Sequence, residues 1–307
     1  MGNIKILEET TRNPITLMGQ RAGVCWGANI EDAEKNYKRG LDCLKSGHGR
    51  VLEYVNVEMI LDGYSARVIR EWYTHIGGAP TRLQASTRYI NYADFNYVVP
   101  KSVSKDPGAT LLYTSVMEKI SSTADMLEKE FGIPREDAAM LLPLGMATKI
   151  VDKRNLRNLI DMSHQRMCSR AFWEYRELMK DLCNALRNYS AEWAYLVDNY
   201  FKPKCKVTGV CPETKSCGMM PKYQDLLNRS DFIATTLWTE EDIRNRLIEN
   251  GYAGSDEEVL AVLNTGLLKN LGDCTDGDWQ MIDDAINAAA LKAEDENSSE
   301  EDLSDED

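Results

Sequence analysis

The sequence predicts an α+β fold, in which a small, mostly antiparallel sheet packs with long helices and a C-terminal helical appendix follows. Short β-prone segments lie near the N-terminus, helical periodicity dominates from residue 109, and the last residues are acidic and serine-rich. A chain of 307 residues has room for one large domain and a small one. We expect residues 1–222 to form the main domain, 223–293 a small helical appendix and 294–307 a disordered acidic tail.

The first third of the chain predicts two short strands and two helices. Residues 4–7 predict a strand, and a helix over 31–46 ends at Gly47. The β-prone residues within 51–60 predict a second strand, which Asp62-Gly63 should end in a turn. A helical pattern begins at Ser65 and has to end at Gly77-Gly78, because Pro80 forbids its continuation.

Helices should dominate the rest of the main domain. An extended segment at 95–100 ends at Pro100, and residues 109–130 predict an amphipathic helix. A further helix begins after Pro134 and runs into residues 140–151. The longest pattern covers 154–200 without an internal proline, so it predicts one continuous helix.

The appendix carries helix-start signals. Thr239 with Asp242 and Ser255 with Glu258 have the spacing of capping boxes. Gly251 should close the first of these helices, and Asp276 or Asp278 can cap another that runs through Ala289. We expect a packing or solubilising add-on, with a partner-binding module as the alternative.

Composition excludes several classes of protein. Hydrophobic residues make up 43% and charged residues 28%, as in globular domains, and no apolar run reaches the length of a membrane span. The net charge is −13, but residues 294–307 alone hold nine acidic groups, and no basic stripe suggests a nucleic-acid partner. The N-terminus has no apolar signal core, and the eight cysteines are mostly scattered, which favours reduced thiols and a cytoplasmic location.

The segment 203–222 contains three cysteines among proline, glycine and lysine. Cys205, Cys211 and Cys217 recur six residues apart, and no histidine is near. Structural zinc sites normally use four ligands in closer pairs. We therefore expect a compact loop with free thiols, with a metal site as the less favoured alternative.

Two stretches carry candidate site residues. Residues 70–92 combine arginines, His75 and hydroxyl side chains around a Gly-Gly-Ala-Pro break, which suits an anionic ligand such as a nucleotide. Along an unbroken helix, Asn155, Arg166 and Arg170 share one face that can grip a phosphate and a base edge. For both stretches a solvated polar surface is the alternative.

Several stretches, in order, resemble the flavin-dependent thymidylate synthase family. The family has an early helix followed by a histidine and a Glu-His pair. This chain has a similar order, in which RAGVCWGA is followed by a helix and then by SGHGRVLEY. REWYTH resembles the approach to the signature motif, QASTRY its closing Ser-x-Arg-Tyr, and NYVVP the extended segment beyond. LLPLGMATKIVDKRNLRNLIDMSHQRMCSRAFWE resembles the family's Leu-Pro, Asn-x-Arg-x-Leu and distal arginine elements. The resemblance covers roughly residues 15–200.

The chain departs from the family pattern at several positions. Thr74-His75-Ile76 stands where the family has Arg-His-Arg, and about two extra residues follow within GGAP. Where the family has Glu-His, this chain has Glu53-Tyr54. It has Ala139 in place of an arginine and Arg170 in place of a histidine. The arginines that are candidates to replace the lost charge are Arg50, Arg82 and Arg170.

The resemblance implies a homotetramer with FAD between subunits. Such an enzyme methylates deoxyuridylate (dUMP), with methylenetetrahydrofolate as carbon donor and NADPH as reductant of the flavin. By position, Arg166 is the catalytic cation that polarises the uracil ring and contacts the substrate. The other implied substrate residues are Glu71, Gln84, Ala85, Ser86, Thr87 and Arg88. The implied cofactor residues are His48, Arg50, Thr74, His75, Asn155, Arg157, Asp161 and Arg170.

Three functions stay open at this point. The first is thymidylate synthesis. The second is a related flavin-dependent (hydroxy)methylation of a pyrimidine nucleotide, which the altered motif suggests. The third is a non-enzymatic flavin- or nucleotide-binding protein.

Overall fold

A computed structural model describes residues 2–223, 240–265 and 278–289. The chain divides into two compact units, Met1–Val207 and Thr208–Asp307. The first unit combines one antiparallel sheet with surrounding helices, which confirms the predicted α+β class.

The sheet of the first unit has four strands in the order β1-β2-β4-β3, each antiparallel to its neighbours. The strands are β1 (Asn3–Ile6), β2 (Asn56–Ser65), β3 (Thr81–Gln84) and β4 (Ala147–Asn155). The predicted start of β2 was wrong, because Gly49–Tyr54 forms a 3-10 helix. The predicted turn at Asp62-Gly63 was also wrong. Gly63 adopts φ 79° in a bulge, and the ladder continues to Ser65.

β4 replaces a predicted helix. The helix after Pro134 lasts only over α5 (Arg135–Ala138), and a 3-10 turn follows it. Along β4, alternate side chains such as Asp152 and Arg154 are buried, while Lys149 and Lys153 on the other face are exposed. This period of two suits a strand, and pairing with β2 and β3 satisfies its backbone on both sides.

The predicted continuous helix over 154–200 was wrong, because it is three helices. They are α6 (Leu156–Arg166), α7 (Trp173–Tyr189) and α8 (Ala191–Tyr200). Asn155 and Ser190 start α6 and α8 as N-caps, each accepting a hydrogen bond from the backbone N–H three residues on. A polar N-cap can thus begin a new helix where the sequence has no proline.

Other helices of the first unit follow the predicted periodicity. They are α2 (Ala33–Lys45), α3 (Ala66–Tyr73) and α4 (Pro107–Lys129). Two further helices were not predicted, α1 (Pro14–Cys25) and, in the segment expected to be a loop, α9 (Lys204–Thr208). Ser65 caps α3, and its hydroxyl and backbone N–H both donate to the buried Glu174. This contact fixes the start of α3 against α7.

The core lies between one face of the sheet and the helices. Val57, Met59 and Leu61 of β2 are fully buried there, and α3 contributes Val68 and Trp72. The helices α6, α7 and α8 contribute Leu156, Leu159, Met162, Leu178, Leu182, Leu186, Trp193 and Leu196. The side chains of α3 and α6 therefore emerge from a rigid base.

The first turn of α1 is completed by α8. Asn13 makes no side-chain capping bond, but the Glu192 carboxylate accepts from Ile15 N at 2.6 Å and Thr16 N at 3.0 Å. It also accepts from the Thr16 hydroxyl at 2.6 Å. A residue distant in sequence thus takes the place of a local cap.

In the second unit, three helices pack a small apolar cluster. They are α10 (Glu240–Glu249), α11 (Asp256–Asn264) and α12 (Asp278–Ala288), which meet at Ile243, Leu247, Val259, Val262, Ile282 and Ile286. The capping box of Ser255 and Glu258 is confirmed, and α10 ends just before Gly251. Thr239, Asp276 and the acidic tail lie outside the described residues.

Among the described helices, none is long and apolar enough to cross a membrane. Cys205 and Cys211 are buried and Cys217 is exposed. Within the same residues, no group of three histidine, cysteine or acidic side chains is arranged to hold a metal ion.

Candidate functional site

The candidate site lies where the end of α3 meets the end of α6. Glu71 and His75 are one helical turn apart, with His75 just past the last residue of α3. Arg166 is the last residue of α6 and holds both of them, although they lie more than 90 residues earlier. The central stretch and the distal arginine predicted from sequence therefore meet.

Three contacts hold the Arg166 guanidinium. Its Nε donates to His75 Nε2 at 3.0 Å, and its Nη1 donates to Glu71 Oε2 at 3.1 Å. Its Cζ lies 4.7 Å from the centre of the Tyr175 ring. The side chain is 23% exposed, so part of the cation still reaches the surface.

An aromatic and cationic column supports this arginine. Tyr175 stacks on Trp72 with ring centres 6.1 Å apart at 29°, and Arg154 covers Trp72 with its Cζ at 4.2 Å from the ring centre. The order through the protein is Arg154, Trp72, Tyr175, Arg166. Each of the two cations lies on an aromatic face, and this contact is attractive because a ring face carries negative charge density.

The column rests on a buried ion pair. Arg154 donates to both oxygens of Asp152 at 2.5 and 2.8 Å, and neither side chain is exposed. Asp152 also accepts from Trp72 Nε1 at 3.0 Å, and Arg154 donates to Asn158 Oδ1 at 2.7 Å. Bidentate pairing with further hydrogen bonds is the geometry in which a buried pair is tolerated.

His75 is held in its neutral form. Burial, together with the neighbouring cations Arg166 and Arg154, lowers its pKa from the usual 6.5 to about 4. Because Nε2 accepts from Arg166, the proton of the neutral ring belongs on Nδ1. Burial also raises the pKa of Tyr175, whose buried hydroxyl has no hydrogen-bond partner among the described residues.

The Gly77–Pro80 loop packs against the start of α6. Gly78 adopts φ 72°, and a Cβ there would meet Asn155 Nδ2 at 2.2 Å. Ala79 also has a positive φ, of 49°. Asn155 is itself buried and caps α6, so in this chain its amide works inside the fold.

Beyond this loop, Arg82 lies over the Tyr73 ring with its Cζ 4.4 Å from the ring centre. Its Nη1 is buried and, within the part of the chain that the structure describes, has no hydrogen-bond partner. A buried cationic donor without an acceptor is costly, so an anionic or carbonyl ligand group would stabilise it.

The predicted nucleotide segment follows β3. Gln84 Nε2 donates to Thr148 Oγ1 at 3.2 Å, and Ala85 N donates to the Lys149 carbonyl at 2.9 Å. Ser86 Oγ accepts from Arg88 N, and the Arg88 side chain pairs with Glu136 at 2.7 Å. Thr87 lines a small crevice beside α4 and α5. In the described residues, no hydrogen bond or ion pair links this segment to Arg166.

Most of the predicted cofactor residues are exposed, whereas Asn155 is buried. His48, Arg50 and Asp161 are exposed, and Arg157 is paired with Glu53 at 2.6 Å beside the 3-10 helix. Thr74 is exposed, and its hydroxyl donates to the Glu71 carbonyl.

The predicted shared face of Asn155, Arg166 and Arg170 was wrong. Asn155 precedes α6 as its cap, whereas Arg170 lies in the turn between α6 and α7. The break in the helix therefore removes the common face on which that prediction depended.

A cleft of about 1100 Å³ lies in the first unit. Ala85 and Thr148 reach its edge, and it is lined by aromatic side chains that include Tyr64, Tyr92 and Trp173. Arg166, Glu71 and His75 are not among its lining residues. The cleft thus adjoins the nucleotide segment, whereas the held arginine lies elsewhere.

Sequence reasoning missed Asp152, Arg154, Tyr175 and the role of Trp72. The available signal was the alternation Thr148, Ile150, Asp152, Arg154, which places an acid and a base on one face of a strand.

Solved structures share the fold of this chain. The flavin-dependent thymidylate synthase ThyX from Helicobacter pylori, complexed with FAD and dUMP, matches with a TM-score of 0.52 and 18% identity. The match covers 65% of this chain and 100% of that one, and it shows a common α+β fold.

Residues 6–189 match the model of the thymidylate synthase complementing protein family. The chain belongs to this family. A flavin-dependent thymidylate synthase from Clostridium tetani is 28% identical over 238 residues, covering 70% of this chain and 92% of that relative. Another from Pyrococcus furiosus is 31% identical over 192 residues, covering 59% and 74%.

Proposed function

We propose that this chain is a flavin-dependent thymidylate synthase, which converts dUMP to dTMP with methylenetetrahydrofolate as carbon donor, NADPH as reductant and FAD as cofactor. The observation that carries the proposal is the Arg166 guanidinium, held at the protein surface by Glu71, His75 and Tyr175. Membership in the family supports the same reaction.

Arg166 is the residue to which we assign the chemistry. A pyrimidine carbonyl oxygen gains negative charge when the ring attacks a one-carbon unit, and a fixed cation stabilises that charge. We place the nucleotide's phosphate and sugar on Gln84, Ala85, Ser86, Thr87 and Arg88, where Arg88 exchanges its Glu136 partner for the phosphate.

The residues present fit FAD. Arg50, His48 and Arg157 offer exposed donors, Arg157 in a pair with Glu53, and Arg82 offers a buried donor that lacks an acceptor in the described part of the chain. These groups suit the phosphates and ring carbonyls of a dinucleotide. When bound, the flavin supplies the hydride that completes the methyl group.

We also propose that residues 1–222 carry the activity, that the chain works as a homotetramer, and that 223–293 is a packing appendix. Deleting residues 223–307 should then leave thymidylate formation and the oligomeric mass per protomer intact. Loss of either one would assign a role in activity or assembly to the appendix.

The decisive experiment combines flavin content with product analysis. The purified protein should show flavin absorbance and form dTMP from dUMP, methylenetetrahydrofolate and NADPH. Arg166→Ala should lower kcat/KM by roughly 100-fold or more, as for loss of a charge-stabilising donor. The matched control is Arg187→Ala, which removes an exposed cation of α7 that is paired with Asp198 of α8.

Mass spectrometry of the product separates the alternatives. A hydroxymethyl product would favour the second candidate reaction, which the Thr74-His75-Ile76 departure motivates. A protein that binds no flavin and forms no product would rule out both enzyme functions.

A further inference from the structure

We propose that Tyr175 and His75 are positioning residues that orient the Arg166 guanidinium for the pyrimidine ring. The inference rests on the function proposed above and deepens it. Tyr175 contacts Arg166 through its ring face, and His75 contacts it through one hydrogen bond. Neither residue needs to touch the substrate to act in this way.

The three contacts on Arg166 leave one orientation of its plane. A guanidinium can rotate about its long side chain unless donors on different nitrogens are fixed. Here Nε is fixed by His75 and Nη1 by Glu71, while the Tyr175 ring supports one face at 4.7 Å. Within the described residues Nη2 has no hydrogen-bond partner, and the side chain is 23% exposed, so this edge can take a ligand.

His75 adds a requirement on its own protonation state. Only a neutral imidazole can accept from Arg166 Nε, and a protonated ring would repel the cation. The ring of His75 also meets the edge of Tyr175 at 6.1 Å between centres and 73°. The two positioning residues therefore restrain each other as well as Arg166.

The base of the column keeps Tyr175 in place. Trp72 and Tyr175 are both fully buried. Behind them, Asp152 accepts two hydrogen bonds from Arg154 and one from Trp72, and Arg154 donates a further one to Asn158. A support built this way needs no rearrangement when charge develops on a ligand. Arg166 is thus preorganised by Tyr175, Trp72 and Arg154, the other three side chains of the column.

The ligand class follows from the free groups. A planar ring with a carbonyl oxygen in its plane can lie edge-on to Arg166 and accept a hydrogen bond from Nη2. A pyrimidine nucleotide base has this shape. The positioning residues should therefore affect nucleotide affinity and the chemical step, and replacing Tyr175, which is not among the implied cofactor residues, should leave flavin content unchanged.

The test compares Tyr175→Leu with Tyr175→Phe. Loss of the ring face should raise KM and Kd for dUMP about tenfold, within the range measured for cation–π contacts, and lower kcat. Tyr175→Phe keeps the face and should restore both constants to within about twofold of the parent protein. Flavin content and melting temperature are measured on each variant.

The matched control is Tyr189→Leu. Tyr189 lies on the same helix about 21 Å away along the axis, and its ring also carries an arginine, with Arg12 Cζ at 5.6 Å. This variant should leave KM and kcat unchanged. An equal loss in Tyr189→Leu, or parental dUMP affinity in a folded Tyr175→Leu, would overturn the proposal.

His75 is tested by replacement of its acceptor. His75→Gln places a carbonyl oxygen near the position of Nε2 and should retain most of the nucleotide affinity, whereas His75→Leu should lose about as much as Tyr175→Leu. Equal affinities in these two variants would remove His75 from the proposal.

A structural measurement separates this inference from the proposed function. If the parent protein makes no thymidylate, the proposed function fails. The positioning is then decided by crystal structures of Tyr175→Leu and Tyr175→Phe. Arg166 leaving His75 and Glu71 only in Tyr175→Leu supports it, and an unmoved Arg166 in both overturns it.

Discussion

Asp152 and Arg154 lie two residues apart on one strand and form an ion pair in which neither side chain is exposed. Because the side chains of a strand alternate, positions i and i+2 share a face, and this pair points into the core under Trp72. The sheet thus provides a charged but fully bonded support for the candidate site.

Breaking that pair should be costly. Arg154→Met leaves the Asp152 carboxylate buried with only the Trp72 indole as partner, which should lower the free energy of unfolding by about 3–5 kcal/mol. Urea denaturation measures this. Asp152→Leu combined with Arg154→Met should lose less than the single variant, because no charge then stays unpaired. Lys38→Ala, at an exposed pair with Glu34, should change stability little.

His75 should stay neutral throughout the physiological range. Its pKa in the folded protein is about 4, below the usual 6.5, so the unfolded chain binds the extra proton first. The stabilising contribution is therefore complete above pH 6.5 and is lost as the pH falls through 4. The NMR signal of the His75 ring should not move between pH 8 and about pH 5.5. A midpoint near 6.5 would contradict the contact with Arg166.

The Gly77–Pro80 loop should tolerate no side chain at Gly78. Gly78→Ala combines φ 72° with a Cβ at 2.2 Å from Asn155 Nδ2, so the loop and the α6 cap have to shift apart. We expect a loss of about 2–3 kcal/mol in the free energy of unfolding. Gly27→Ala is the matched control, because φ there is 61° but nothing lies within 4 Å of the new Cβ. It should cost only about 1 kcal/mol. Equal losses would show that the contact with Asn155 contributes nothing.

Releasing Arg88 from Glu136 should strengthen nucleotide binding. The pair is exposed at both side chains, so Glu136→Gln should affect stability little. If Arg88 binds the phosphate, the free guanidinium should lower the Kd for dUMP by about two- to fivefold, as measured by calorimetry. Glu130→Gln, an exposed residue at the end of α4, controls for the change in net charge. An unchanged Kd would place the phosphate elsewhere.

Local patterns predicted those parts of the fold that local interactions determine. The helices α2, α3 and α4 follow from apolar spacing and from the caps Asp32, Ser65 and Asp106. β4 escaped prediction because its lysines, Asp152 and Arg154 resemble a polar helix surface until its pairing partners are known.

For the candidate site too, some residues could be identified from the sequence and their contacts could not. Arg166 and the Glu71–His75 stretch could be identified from sequence by resemblance, and the structure brings them together. Their contact joins residues 95 positions apart, so no local pattern encodes it. The supporting residue Tyr175 escaped prediction for the same reason, since it acts only after α3, α6 and α7 have packed.

Glu192 makes the order of synthesis matter for the first helix. Its carboxylate accepts from the backbone of Ile15, 177 residues earlier in the chain. On the ribosome α1 emerges long before α8, so its first amides stay bonded to water until nearly the whole first unit has been made. A nascent chain that stops before Glu192 therefore holds an α1 without its cap, and the final locking of the N-terminal helix is a late event in folding.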